Sequence, residues 1–145
     1  MSAKSTRGAP ADVLIAGAGL TGRVLGLCLH HAGQGDLAVR IVDAASGPGG
    51  RDDLRAYAVT PGARRMLETV GAWERLEGRT QASHLMRITD SRAEEIIRPA
   101  LLNFGAEPEF EGDEPIAHFV EARHLVAAVE GACEAAGIKP SFGTR

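Results

Sequence analysis

The ten residues from Val13 to Gly22, Val-Leu-Ile-Ala-Gly-Ala-Gly-Leu-Thr-Gly, constrain the fold of this chain more than any others. Val13-Leu14-Ile15-Ala16 is a short apolar run with β-branched residues, and it predicts a strand buried on both faces. From Leu20 to Ala32 the apolar residues Leu20, Val24, Leu27 and Cys28 recur at helical spacing, and Gly33 supplies a stop. Between them lies G-x-G-x-x-G. Gly17 permits the tight turn, Gly19 lets backbone amides approach a pyrophosphate with no Cβ in the way, and Gly22 lets the helix pack closely on the strand. The helix then offers the unpaired N–H groups of its first turn, at Leu20 and Thr21, and its partial positive charge to phosphate.

A glycine motif alone is a weak signal in a chain of 145 residues with 18 glycines. Its context strengthens it. Val39-Arg40-Ile41-Val42-Asp43 predicts a second strand, which makes the segment a right-handed βαβ unit. Asp43 follows Gly22 by 21 residues, close to the spacing of about 20 at which an acid accepts a ribose hydroxyl. The plain alternative is a glycine-rich turn and a surface aspartate. The fingerprint leaves FAD and NAD both open, and an Asp at this place is somewhat more usual for NAD.

Composition removes other classes. There are 16 basic and 19 acidic residues, a net charge of −3, which argues against binding nucleic acid by bulk positive charge. Two cysteines, Cys28 and Cys133, are too few for a disulfide scaffold and read as small core residues on helix faces. No apolar run approaches the roughly 18 residues of a membrane helix, and residues 1–11 have no apolar segment before Asp12, which reads as a disordered tail. A soluble, cytoplasmic α/β domain is the expectation.

Further along, Thr60-Pro61-Gly62-Ala63 opens a helix with a capping hydroxyl and a first-turn proline, Ala63, Met66, Leu67 and Val70 make its apolar face, and Gly71 ends it. Leu85–Thr89 and Ile116–Val120 predict strands, and Glu121–Ala136 predicts a third helix closed by Gly137. Glu107, Glu109, Glu111, Asp113 and Glu114, punctuated by Pro108, Gly112 and Pro115, read as a solvated acidic loop whose spacing fits no calcium loop. His30 and His31 sit near a helix end, and His84, His118 and His124 are isolated and read as structural.

One long segment carries a resemblance. Asp53-Leu54-Arg55-Ala56 leads into a helix ending in Val70-Gly71-Ala72-Trp73, and Phe119-Val120-Glu121-Ala122-Arg123-His124-Leu125 enters the next helix. In this order the three motifs resemble the FAD-dependent aromatic hydroxylases, single-component flavoprotein monooxygenases, and most closely their ubiquinone-biosynthesis branch acting on polyprenyl-phenols. The chain departs from that pattern where Asp43 replaces Glu, Ala122 replaces Asn and Tyr57 replaces a small or aliphatic residue. The first shortens the reach to the ribose, and the second removes a polar group near the flavin.

The resemblance implies an α/β fold: a partial Rossmann-like FAD-binding domain with the beginning of a β-rich substrate domain. Residues 12–84 would form the FAD-binding part, 85–116 the first substrate-domain strands and the acidic loop, and 117–145 the return to the FAD-binding part. It implies that Gly17, Gly19, Leu20, Thr21, Gly22 and Asp43 hold the ADP half of FAD, with Arg55 and Arg123 on the flavin side. The simpler readings are an exposed Arg55 and an Arg123 paired with Glu121. Trp73 reads as the anchor of its helix against the sheet, with substrate stacking as the alternative. NAD(P)H would be co-substrate, and an aromatic small molecule and O2 would be the partners in a full-length protein. Peripheral contact with the inner membrane and a homo-oligomer covering an open strand edge are further expectations. The family is more than twice this length, so the chain reads as an N-terminal fragment, inactive alone and with no catalytic acid, base or nucleophile of its own. The competing readings are an NAD-dependent dehydrogenase domain and a non-catalytic binding protein on the same scaffold, similar to the Rab GDP-dissociation inhibitors.

Overall fold

Alternation of strand and helix over the first 42 residues produces the predicted βαβ unit. The computed structural model describes residues 10–49, 53–90, 94, 96, 97, 99–105 and 114–144. Most of the expected tail and of the acidic loop lie outside them. The described chain divides into two compact units, residues 1–50 with 126–145 and residues 51–125.

In the first unit, β1 (Val13–Ala16) pairs in parallel with β2 (Val39–Val42), with Ile15 opposite Ile41. Helix α1 (Leu20–Ala32) connects them. It packs on the sheet through Gly26, where an added Cβ would lie 2.8 Å from Ile41 Cδ1. Ile15, Leu27, Ile41, Val129, Ala132, Cys133 and Ile138 are buried here. β1 is not buried on both faces as predicted: Ile15 is covered, whereas Leu14 is 64% exposed, because α1 lies on the Ile15 and Ile41 side. Past the last helix, Ser141 bridges in parallel to Val42, donates to the Ile41 carbonyl and accepts from the Asp43 N–H.

The second unit is built on an antiparallel sheet with β7 (Ala117–Glu121) in the middle, flanked by β3 (Ala56–Val59) and β4 (Thr80–Ser83). Helix α2 (Pro61–Thr69) starts as predicted, Thr60 Oγ1 accepting from the Ala63 N–H at 3.5 Å. Leu67 of its apolar face is buried, but Met66 is 41% exposed. A 3₁₀ turn, Glu74–Leu76, follows α2 and buries Leu76. A separate hairpin joins β5 (Leu85–Thr89) to β6 (Ala100–Gly105). Helix α3 (Ala122–Ala135) starts one residue later than predicted, because Glu121 is the last residue of β7. Its end follows the glycine-terminated pattern, with Gly137 at φ 72° and the Ile138 N–H donating to the Cys133 carbonyl.

Trp73 does anchor the end of its helix: its ring meets the edge of the His118 ring on β7 at 5.2 Å, and the Arg64 guanidinium lies 5.4 Å from its centre. His118 is buried, and burial, followed by the nearby Arg64 charge, lowers its pKa. Among the described residues no helix is long and apolar enough to cross a membrane, and no group of three or more His, Cys, Asp or Glu is placed to hold a metal.

Candidate dinucleotide site

The glycine turn takes the geometry its sequence requires. Gly17 has φ +113°, a conformation strained for any residue with a Cβ. Its N–H donates to the Val42 carbonyl at 2.7 Å, which ties the turn to the end of β2. A Cβ at Gly22 would lie 1.9 Å from the Gly17 carbonyl oxygen, so the first turn of α1 and the loop touch backbone to backbone. Nothing lies within 4 Å of a Cβ built at Gly19, leaving the open approach a phosphate needs. Gly19 caps α1 without a side chain, and no acidic residue sits in the first turn, where Leu20 and Thr21 lie. No carboxylate of the helix itself competes with an anion there.

Asp43 closes the site from the end of β2. Its Oδ2 accepts the Ala18 N–H at 2.7 Å, and its Oδ1 accepts the Ala45 N–H at 2.8 Å. These bonds, Ala45 first and Ala18 second, hold its carboxyl below the ordinary range, with the Arg23 charge acting in the same direction. Each oxygen keeps a lone pair for a further donor such as a ribose hydroxyl. Asp43 therefore shapes the loop.

Sequence reasoning missed Arg23. It is buried, at 6% exposure; its Nε donates to the Ala18 carbonyl at 2.7 Å, and its Nη1 pairs with Glu130 Oε1 of α3 at 2.6 Å. The signal was present in the two helical patterns. Arg23 interrupts the apolar stripe of Leu20, Val24 and Leu27, and Glu130 interrupts that of Val126, Val129 and Cys133. Two opposite charges, each inside an apolar stripe, mark a buried pair.

Gly17, Gly19, Leu20, Thr21, Gly22 and Asp43 thus come together in the first unit. Arg55 and Arg123 belong to the second. There the two arginine motifs meet: Ala56 pairs with Glu121 across β3 and β7, and the Ala122 N–H donates to the Arg55 carbonyl at 2.8 Å. Asp53 holds the Arg55 guanidinium in a fork, from Nη2 to Oδ2 at 2.6 Å and from Nε to Oδ1 at 2.9 Å. That side-chain bond pulls the Asp53 carboxyl down to about 2 and raises Arg55. Arg55 is exposed, with its Nη1 edge directed away from this fork. Arg123 pairs with Glu121, and His124 Nδ1 lies 4.0 Å from the same carboxylate.

A family model described as FAD binding domain matches residues 10–144. The chain belongs to that family. As an FAD-binding-domain protein, it is 31% identical over 119 residues to ubiquinone hydroxylase UbiL of Rhodospirillum rubrum, a match that takes in 82% of this chain and 26% of the relative. The chain therefore spans about a quarter of the length of that curated relative. Among solved structures, 2-methyl-3-hydroxypyridine-5-carboxylic acid oxygenase superposes with a TM-score of 0.62 at 16% identity, over 90% of this chain and 30% of the other. The anhydrotetracycline hydroxylase OxyS of Streptomyces rimosus superposes at 0.61 and 22% identity, over 92% and 24%. These superpositions show a shared fold and, with the family match, the α/β class expected from the sequence.

Proposed function

We propose that this chain is the FAD-holding N-terminal part of an NAD(P)H-dependent flavoprotein monooxygenase that hydroxylates an electron-rich aromatic ring, of polyprenyl-phenol type. The observation that carries the reading is the Gly17–Gly22 turn closed by Asp43, within a chain that matches the FAD binding domain over nearly its whole length. The similarity to a ubiquinone hydroxylase supports the substrate class.

FAD, when bound, supplies the redox chemistry, taking electrons from NAD(P)H and using O2 to hydroxylate the ring. The residues of this chain bind and orient. The exposed amides around Gly19, with Leu20 and Thr21, face the pyrophosphate, and Gly22 keeps the helix close enough for its N-terminus to act on it. Asp43 accepts from the ribose. Arg55 and Arg123 are assigned to the flavin side, where the Nη1 edge of Arg55 is available for a phosphate or for charge on reduced flavin. Turnover is expected only from a chain of the relatives' length.

The absorbance of the purified protein, followed by titration with FAD and with NADH, tests this. Flavin bands, or saturable FAD binding with weaker NADH binding, is the expected result. Tight NADH binding without flavin would instead assign a dehydrogenase domain, which the shorter Asp43 favours. Affinity for neither would leave a binding protein on the same scaffold. Steady NAD(P)H oxidation by this chain with added FAD would overturn its dependence on the rest of the relatives' length.

A further inference from the structure

We infer that Arg23 is a positioning residue for the pyrophosphate loop, held to that task by Glu130 from a helix more than a hundred positions away in sequence. The inference deepens the dinucleotide reading and rests on it for its ligand.

Ala18, in the middle of the loop, is fixed at both of its backbone polar groups by ionised side chains. Its N–H goes to Asp43 at 2.7 Å, and its carbonyl accepts from Arg23 Nε at 2.7 Å. In a trans peptide the carbonyl and the following N–H point in opposite directions. Turning the Ala18 carbonyl toward Arg23 therefore turns the Gly19 N–H the opposite way, away from the buried guanidinium. The next carbonyl, of Gly19, accepts from the Arg23 backbone N–H at 3.1 Å as the first bond of the helix.

The placement is otherwise hard to account for. A cation in the fourth position of a helix opposes the helix dipole, and a buried guanidinium is costly without a counter-charge. Glu130 provides that counter-charge at 2.6 Å, with both side chains about nine-tenths buried. Because the pair is neutral overall, its effect on a bound phosphate is through orientation rather than net attraction. Arginine suits the role because its Nε and Nη1 can address a carbonyl and a carboxylate at once in fixed geometry, which a single ammonium cannot.

The test uses the whole chain and three readouts: ADP and FAD dissociation constants, thermal melting, and amide exchange of Ala18 without ligand. In Arg23→Met/Glu130→Leu both charges are replaced by apolar groups of similar size, which preserves the fold in comparable buried pairs. We expect a melting temperature near that of the parent chain, Ala18 exchange faster by about tenfold or more, and ADP affinity weaker by about tenfold, the scale of one lost oriented hydrogen bond. Arg23→Lys, which keeps the charge, is expected to fall between the two and serves if the double variant does not fold. Unchanged Ala18 exchange and ADP affinity in a folded variant would overturn the inference. Parent protein that binds neither FAD nor ADP would overturn the dinucleotide reading instead, and the Ala18 exchange would still decide whether Arg23 holds the loop.

Discussion

Asp53 and His118 are titrating groups whose pKa values both move down, by unlike causes. The Asp53 carboxyl is drawn down to about 2 by the Arg55 fork, so its contribution to stability is fully present above 3.8, its ordinary value, and disappears as pH falls toward 2. Carbon-detected NMR titration is expected to place its midpoint near that value and to return it toward 3.8 in Arg55→Leu. An unmoved midpoint would mean that the fork does not form in solution. His118 is held below its ordinary 6.5 by burial, with the Arg64 charge reinforcing it, while Glu68 opposes and His84 adds to the effect. Its Nδ1 is buried without a partner. The unfolded chain therefore takes up a proton before the folded one does. The contribution is complete above 6.5 and is lost as pH drops below it. Urea unfolding should show stability declining from pH 7 to 5, and His118→Phe, which retains a ring against Trp73, should flatten that decline.

Among the elements, the ones read correctly from sequence are those whose reasons are local. β1, α1 and the cap of α2 follow from an apolar run, a 3.6-residue period and a Thr-Pro pair within a few positions. β3, Ala-Tyr-Ala-Val, and β4, Thr-Gln-Ala-Ser, carry no alternation of their own and become strands only because β7 supplies partners on both sides. β6 follows the same rule, since its residues are exposed throughout and its reason is the pairing with β5. The candidate site divides in the same way. The glycines and Asp43 were legible because their spacing is local chemistry, whereas the Arg23–Glu130 pair needed α1 and α3 to be brought together. The glycine turn yields a sharp element-level prediction. In Gly22→Ala the new methyl meets the Gly17 carbonyl, a backbone group that no side-chain rotation relieves. A loss of about 1–3 kcal/mol is expected from overpacking, together with loss of ADP binding. A stable variant that binds ADP normally would show that the close contact of helix and loop is dispensable.

For the molecule as a whole, the division into two units separates the two halves of the proposed cofactor site in sequence. The glycine turn, Asp43, Arg23 and Glu130 all fall in residues 1–50 and 126–145, while Arg55 and Arg123 fall in 51–125. The groups proposed for a diphosphate and a ribose all lie within the first unit. A ligand that binds only the folded form stabilises it by RT ln(1 + [L]/Kd), about 2.7 kcal/mol at a hundred times Kd. For a chain of this size that is a rise of roughly 5–10 °C in the transition of the unit that binds. Calorimetry with ADP, which lacks the flavin ring, is expected to give such a rise, and riboflavin, which lacks the diphosphate, is expected to give little. FAD should match or exceed ADP. The reverse order, with riboflavin active and ADP inert, would move the main affinity to Arg55 and Arg123 and leave the glycine turn as structure alone.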